Sequence, residues 1–126
     1  MNRVMETGMA AVLAVDFGTS NTAAAVLEDG RVRRLEIEPG GETLTTAVFF
    51  PVEGGMRIGE AAARALIDGE EGRYMRALKS VLGMALIHES RLIGGRRRTL
   101  KDVVTEFLGA LKARAEAQCG VVFDAV

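Results

Sequence analysis

Short apolar runs separated by polar turns fill the first two thirds of the chain; a helical period takes over in the last third. Residues 10–15 (AAVLAV) are continuously apolar, the pattern of a strand buried on both faces. A second apolar run follows at residues 22–27 (TAAAVL), and Glu28-Asp29-Gly30 then carries the Asp-Gly signal of a two-residue hairpin. Residues 31–37 place Val32, Leu35 and Ile37 among polar positions. The pattern predicts an antiparallel meander over residues 10–37, preceded by a loose tail at residues 1–8.

Pro39-Gly40-Gly41 breaks the pattern, and AVFF at residues 47–50 reads as a short strand ended by Pro51. Met56-Arg57-Ile58 can pair with it across Glu53-Gly54-Gly55. Residues 59–67 (GEAAARALI) are rich in helix formers, and residues 74–82 predict a second, less regular helix. Residues 91–93 and 96–98 flank Gly94-Gly95 as a small hairpin. Thr99 with Asp102 three residues on predicts a capping-box start. Leu100, Val103, Val104, Phe107, Leu108, Leu111 and Ala115 then recur at helical spacing, up to a stop at Gly120. Residues 121–126 (VVFDAV) have strand character; a chain that stops at the entry to a strand predicts a domain cut rather than finished. The fold class expected is α/β, with the last helix packed on the meander.

Composition narrows the partners. The formal net charge is −1, which argues against nucleic acid or an anionic membrane as a partner. Arg96-Arg97-Arg98 is the one basic cluster and reads as a solvated turn or edge strand. A single cysteine, Cys119, excludes an internal disulfide and a cysteine zinc cluster; a small buried hydrophobe is its expected role. With one histidine, His88, no histidine metal site can form. The apolar run near the N-terminus is too short for a membrane span and lacks a signal-peptide layout. These features fit a cytoplasmic protein.

Chemistry concentrates in residues 15–22, Val-Asp-Phe-Gly-Thr-Ser-Asn-Thr. A strand delivers the Asp16 carboxylate to its end, and Gly18 removes a Cβ where the backbone must turn tightly. Thr19, Ser20 and Asn21 offer hydroxyls, an amide and backbone N–H groups. A carboxylate beside such a turn can hold hydrated Mg²⁺ while the donors meet phosphate oxygens. The same residue types also make an ordinary hairpin turn. Neither GxxxxGK[ST] nor GxGxxG occurs, so the two commoner phosphate loops are excluded.

AVDFGTSNTAAAVLEDGRVRRLE resembles the first phosphate loop and following hairpin of the 70-kDa heat-shock chaperones, whose pattern is close to ID-x-GT-[TS]-N. TLTTAVFF, from Thr43, resembles the family's T-x-P-S-x-V-x-F, with Thr45 where the family has proline. Ile58-Gly59-Glu60-Ala61-Ala62 is similar to its V-G-x-x-A helix start, and LKSVLG, containing Lys79, to its K-R-L-[IL]-G motif. DFGTSNT with LKSVLG is closer to the divergent, YegD-like branch than to the major chaperones. Residues 84–98 do not align.

The resemblance implies a ribonuclease H-like, actin-like ATPase fold, of which residues 9–126 would be the N-terminal portion. It implies ATP or ADP with Mg²⁺ as ligands. Asp16 would orient the metal through water, and Gly18, Thr19, Ser20 and Asn21 would cradle the β- and γ-phosphates, with Thr19 near the γ-phosphate. Lys79 would assist hydrolysis; an isolated lysine is otherwise a surface helix residue. Peptide clients would be reached only through regions absent here. An actin-like filament protein and a non-enzymatic module of the same fold are the alternatives; sugar kinases share the fold but use a different loop. Without a second phosphate loop and an adenosine pocket, the chain is expected to bind nucleotide weakly or not at all, and to self-associate through its sheet face or edge.

Overall fold

The computed structural model describes residues 12–123. Residues 10 and 11 of the first predicted strand, the tail at 1–8 and residues 124–126 lie outside the described residues. The meander forms as expected: β1 (Leu13–Phe17), β2 (Asn21–Glu28) and β3 (Arg31–Arg34) pair antiparallel in that order. Leu13 faces Val26 and Phe17 faces Thr22 across β1 and β2, and Leu27 faces Val32 at the hairpin end. The β2–β3 turn places both Asp29 and Gly30 at positive φ, as the Asp-Gly pair requires.

Two strand expectations change. β1 is not buried on both faces: Leu13 is fully buried, Ala14 and Asp16 are exposed, and the strand alternates like a one-sided sheet. The third strand stops at Arg34, although Leu35 still donates to the Ala24 carbonyl at 2.9 Å. Leu35 and Ile37 turn into the core instead, because Glu38 and Gly41 close a tight turn around Pro39-Gly40. That turn returns the chain as β4 (Thr43–Thr45), an element the hydrophobic pattern did not reveal. β4 pairs with the start of β2, matching Asn21 to Thr45.

A second sheet has β5 (Ala47–Pro51) between β6 (Arg57–Ile58) and β7 (Gly72–Arg76). α1 (Glu60–Ile67) covers one face through Ala62 and Ala65, packed with Ala47, Phe49 and Tyr74. The helix expected over residues 74–82 is absent. Its first part is strand β7, paired along β5 from Gly72 opposite Pro51 to Arg76 opposite Ala47; its second part is a 3₁₀ helix, Leu78–Val81. Pairing explains the difference. Tyr74 packs under α1 and Met75 into the main core, so neighbouring residues serve opposite faces, which a strand allows and a helix does not. Ala77, at φ 56° and ψ 40°, separates the two segments.

The hairpin of β8 (Arg91–Ile93) and β9 (Arg96–Arg98) forms as predicted, after a 3₁₀ helix (Ala85–His88) in which His88 is exposed. Arg98 departs from the solvated reading. Its side chain is 10% exposed, Nε meets Glu106 Oε2 at 2.6 Å, and its guanidinium lies 4.6 Å from the Phe50 ring centroid. Its planar fork serves both contacts at once.

α2 (Leu100–Cys119) matches the predicted helix, with the full capping box at Thr99 and a left-handed Gly120 at its end. Val103, Val104, Phe107, Leu111 and Ala115 bury against Leu13, Val26, Leu35 and Leu44. Phe17 and Phe107 meet with ring centroids 5.8 Å apart. Cys119 is half-buried against this core, and Arg33 donates toward its Sγ at 3.6 Å. The strand expected over 121–126 does not form through Phe123, which instead buries its side chain and donates its N–H to Glu116 Oε2 at 3.0 Å.

One carboxylate joins three elements. Glu38 accepts from the Glu60 N–H at 2.8 Å and from Arg114 of α2 at 3.2 Å. It therefore caps α1, whose own N-cap, Gly59, has no side chain to do so. Gly59 sits at φ 66°, where a Cβ would collide with that carboxylate and with Leu44.

Two predictions follow from these contacts. The Thr22 and Thr46 hydroxyls meet at 2.7 Å, and each residue is 1% exposed. Thr46→Val strands the Thr22 hydroxyl and should cost about 1–3 kcal/mol in urea unfolding, whereas the Thr22→Val/Thr46→Val double variant should recover part of that loss. Additive losses would show that the hydroxyls are not coupled. Asp102 is held below the usual carboxylate range, first by the Thr99 backbone N–H and then by the Thr99 hydroxyl. A depressed folded pKa contributes stability fully above the unfolded value of about 3.9 and loses it as pH falls through the folded value. Asp102→Asn should therefore flatten the acid limb of the stability–pH curve and leave its neutral region parallel to wild type.

Candidate functional site

β1 and β2 converge on the loop at residues 18–21, and the sequence dictates its shape. Gly18 donates to the Asn21 carbonyl at 3.0 Å, closing a tight turn. A Cβ at Gly18 would collide with that carbonyl oxygen, so glycine is demanded by space rather than by φ. A second bond crosses to the other sheet: the Thr46 N–H donates to the Ser20 carbonyl at 2.9 Å. With the buried Thr22–Thr46 hydroxyl pair beneath it, the loop is fastened on two levels.

Fastening uses the carbonyls of Ser20 and Asn21. Thr19, Ser20 and Asn21 are exposed, and the N–H groups of Thr19 and Ser20 make no backbone hydrogen bond among the described residues. Asp16, two residues before Gly18, is exposed at the end of β1 and has no ion-pair partner among the described residues. The predicted Asp16, Gly18, Thr19, Ser20 and Asn21 thus lie on one short stretch of chain, all exposed except the half-buried Gly18. N–H groups and hydroxyls suit phosphate oxygens, and a lone carboxylate suits a hydrated cation that the phosphates also hold. No group of three or more His, Cys, Asp or Glu side chains is placed to enclose a metal among the described residues.

Lys79 lies on another element. Leu78, buried in the main core, anchors the 3₁₀ helix, and Lys79 beside it is exposed. Ser80 donates from both its N–H (3.0 Å) and its Oγ (2.7 Å) to the Ala77 carbonyl, fixing the turn that presents the lysine. β7 runs antiparallel to β5, so it ends at Arg76 beside Ala47, the neighbour of the loop anchor Thr46. Lys79 therefore leaves β7 at the loop's end of the second sheet. Its Nζ has no hydrogen-bond or carboxylate partner among the described residues.

Thr46 was not singled out from the sequence, where it is the second of two adjacent threonines before AVFF. The available signal was a hydroxyl residue directly abutting a fully apolar run, which must find a partner once buried.

No family model matches the chain. Over 116 residues, 89% of this chain, it is 29% identical to the chaperone protein DnaK of Endomicrobium trichonymphae, of which it spans 18%. That likeness supports a relationship to the 70-kDa heat-shock chaperones. Among the described residues, no helix is long and apolar enough to cross a membrane.

The loop geometry gives a direct prediction. Gly18→Ala must open the turn against the Asn21 carbonyl, and overpacking of this kind costs about 1–3 kcal/mol. Thermal unfolding should shift down by a corresponding amount, with amide shifts confined to the loop and the segment around Thr46. An unchanged melting temperature and amide spectrum would refute the tight-turn requirement.

Proposed function

We propose that this chain supplies the first phosphate loop of a nucleotide-binding domain of the actin-like ATPase fold, in a protein related to the heat-shock-70 chaperones and nearest their YegD-like branch. The observation that carries the reading is the loop itself. Its Ser20 and Asn21 carbonyls are taken up by Thr46 and Gly18, the Thr19 and Ser20 N–H groups keep no backbone partner among the described residues, and an exposed carboxylate stands at its root.

In this reading Gly18, Thr19, Ser20 and Asn21 would bind the β- and γ-phosphates of ATP, and Asp16 would hold hydrated Mg²⁺. Bound Mg²⁺ would draw charge from the phosphate oxygens. Lys79 supplies a positive charge where negative charge builds during phosphoryl transfer, and positioning with electrostatics does most of the catalytic work in such reactions. The chain spans 18% of its chaperone relative. In this reading the loop is one part of a nucleotide site whose adenosine pocket and second phosphate cradle are not assigned to residues of this chain, so the chain alone binds Mg-ATP weakly and does not turn it over.

Amide spectra recorded while Mg-ATP is added test the proposal. Shifts at residues 16–21, saturating only in the millimolar range, are the expected outcome; an unperturbed loop would remove the nucleotide reading. Micromolar affinity by calorimetry would show instead that the segment carries a complete site. In a longer protein containing this segment, Lys79→Ala should lower kcat by about 10²-fold with little change in nucleotide affinity. Loss of binding would assign Lys79 to the ground-state complex.

A further inference from the structure

The chain passes from one sheet to the other at Thr46, and the strand that ends beside this joint carries a cation with no assigned role. We propose that Arg76 is a second phosphate-binding cation of the loop site, acting beside Lys79 on the terminal phosphates of a metal–nucleoside triphosphate; this rests on the nucleotide reading above.

β4 and β5 are one run of chain interrupted only at Thr46. Along an extended chain, successive residues turn their N–H and C=O groups to alternate edges. Ala47 turns its carbonyl to the Gly59 N–H, on the β6 edge. Thr46, one residue earlier, turns its N–H to the opposite edge, where it meets Ser20. That is the edge occupied by β7, whose last residue, Arg76, is the Cα partner of Ala47. Ser20, bonded to Thr46, and Arg76, the partner of Ala47, therefore meet consecutive residues of one run.

Three further features bear on Arg76. It is exposed at the end of its strand. Arg33, Arg34, Arg57, Arg98 and Arg114 each hold a carboxylate, whereas Arg76, like Arg31, Arg73 and Arg97, holds none among the described residues. The next residue, Ala77, takes a left-handed conformation that alanine adopts at a cost. This corner separates Arg76, at the end of β7, from the 3₁₀ helix that carries Lys79. Charge gives the ligand class. A nucleoside triphosphate carries roughly four negative charges, a divalent metal offsets about two, and Asp16 adds one more, so Lys79 alone leaves a deficit that a second cation reduces.

The test is Mg-ATP titration of the 126-residue chain, read from the amide shifts of residues 16–21, for wild type, Arg76→Gln, Arg76→Lys and Arg73→Gln. Arg73 lies on the same strand, three residues back, and projects from the other face. Arg76→Gln should weaken binding about threefold, as expected of an exposed charge contact, and the difference should shrink with added salt. Arg76→Lys should restore most of the affinity, and Arg73→Gln should match wild type. Wild-type binding with Arg76→Gln unchanged overturns the role of Arg76 and leaves the nucleotide reading standing. Equal weakening by Arg73→Gln overturns it too, since the effect would be net charge alone. No wild-type loop shift up to tens of millimolar removes both proposals.

Discussion

Thr46 is the constraint on which the rest of the molecule depends. It stands where one strand run leaves the first sheet and enters the second, with a buried hydroxyl and a committed N–H. The hydroxyl meets Thr22 and the N–H meets the Ser20 carbonyl. A buried polar residue at a junction costs free energy unless both groups are satisfied. Here each partner lies in or next to the loop, so the junction of the sheets also shapes the candidate site.

A second polar clasp completes the frame. Glu38 ties the turn after β3 to the start of α1 and, through Arg114, to α2. Between the clasps the core is mainly aliphatic, with Phe49, Phe50, Phe107 and Phe123 as its buried rings. Arg98 closes the far side by stacking on Phe50 while holding Glu106. Polar contacts set how the elements join, and apolar burial supplies the bulk of the stabilisation.

This division suits a phosphate loop. The loop must be rigid enough to hold donors outward, yet its own groups must stay free for a ligand. Taking up the carbonyls of Ser20 and Asn21 internally meets both demands, because carbonyls repel phosphate and N–H groups attract it. The likeness to a DnaK chaperone supports a relationship to the 70-kDa heat-shock chaperones; that the loop binds phosphate is our proposal.

Local physics made much of this legible in the sequence. The Asp-Gly hairpin, the capping box at Thr99, the apolar stripe of α2 and the stop at Gly120 each depend on residues within a few positions of one another. So does the glycine demand at Gly18. What the sequence hid depends on partners far along the chain. β7 read as helix because its pairing with β5 is invisible locally, and only that pairing sends Tyr74 and Met75 to opposite faces. β4 carries one buried aliphatic residue, Leu44, and its place is set by the first residues of β2. Arg98 looked solvated until Phe50 and Glu106 closed on it. The residues of the candidate loop could be named from the sequence; that Thr46 fastens the loop, and that β7 ends beside it, was decided by the meeting of two sheets.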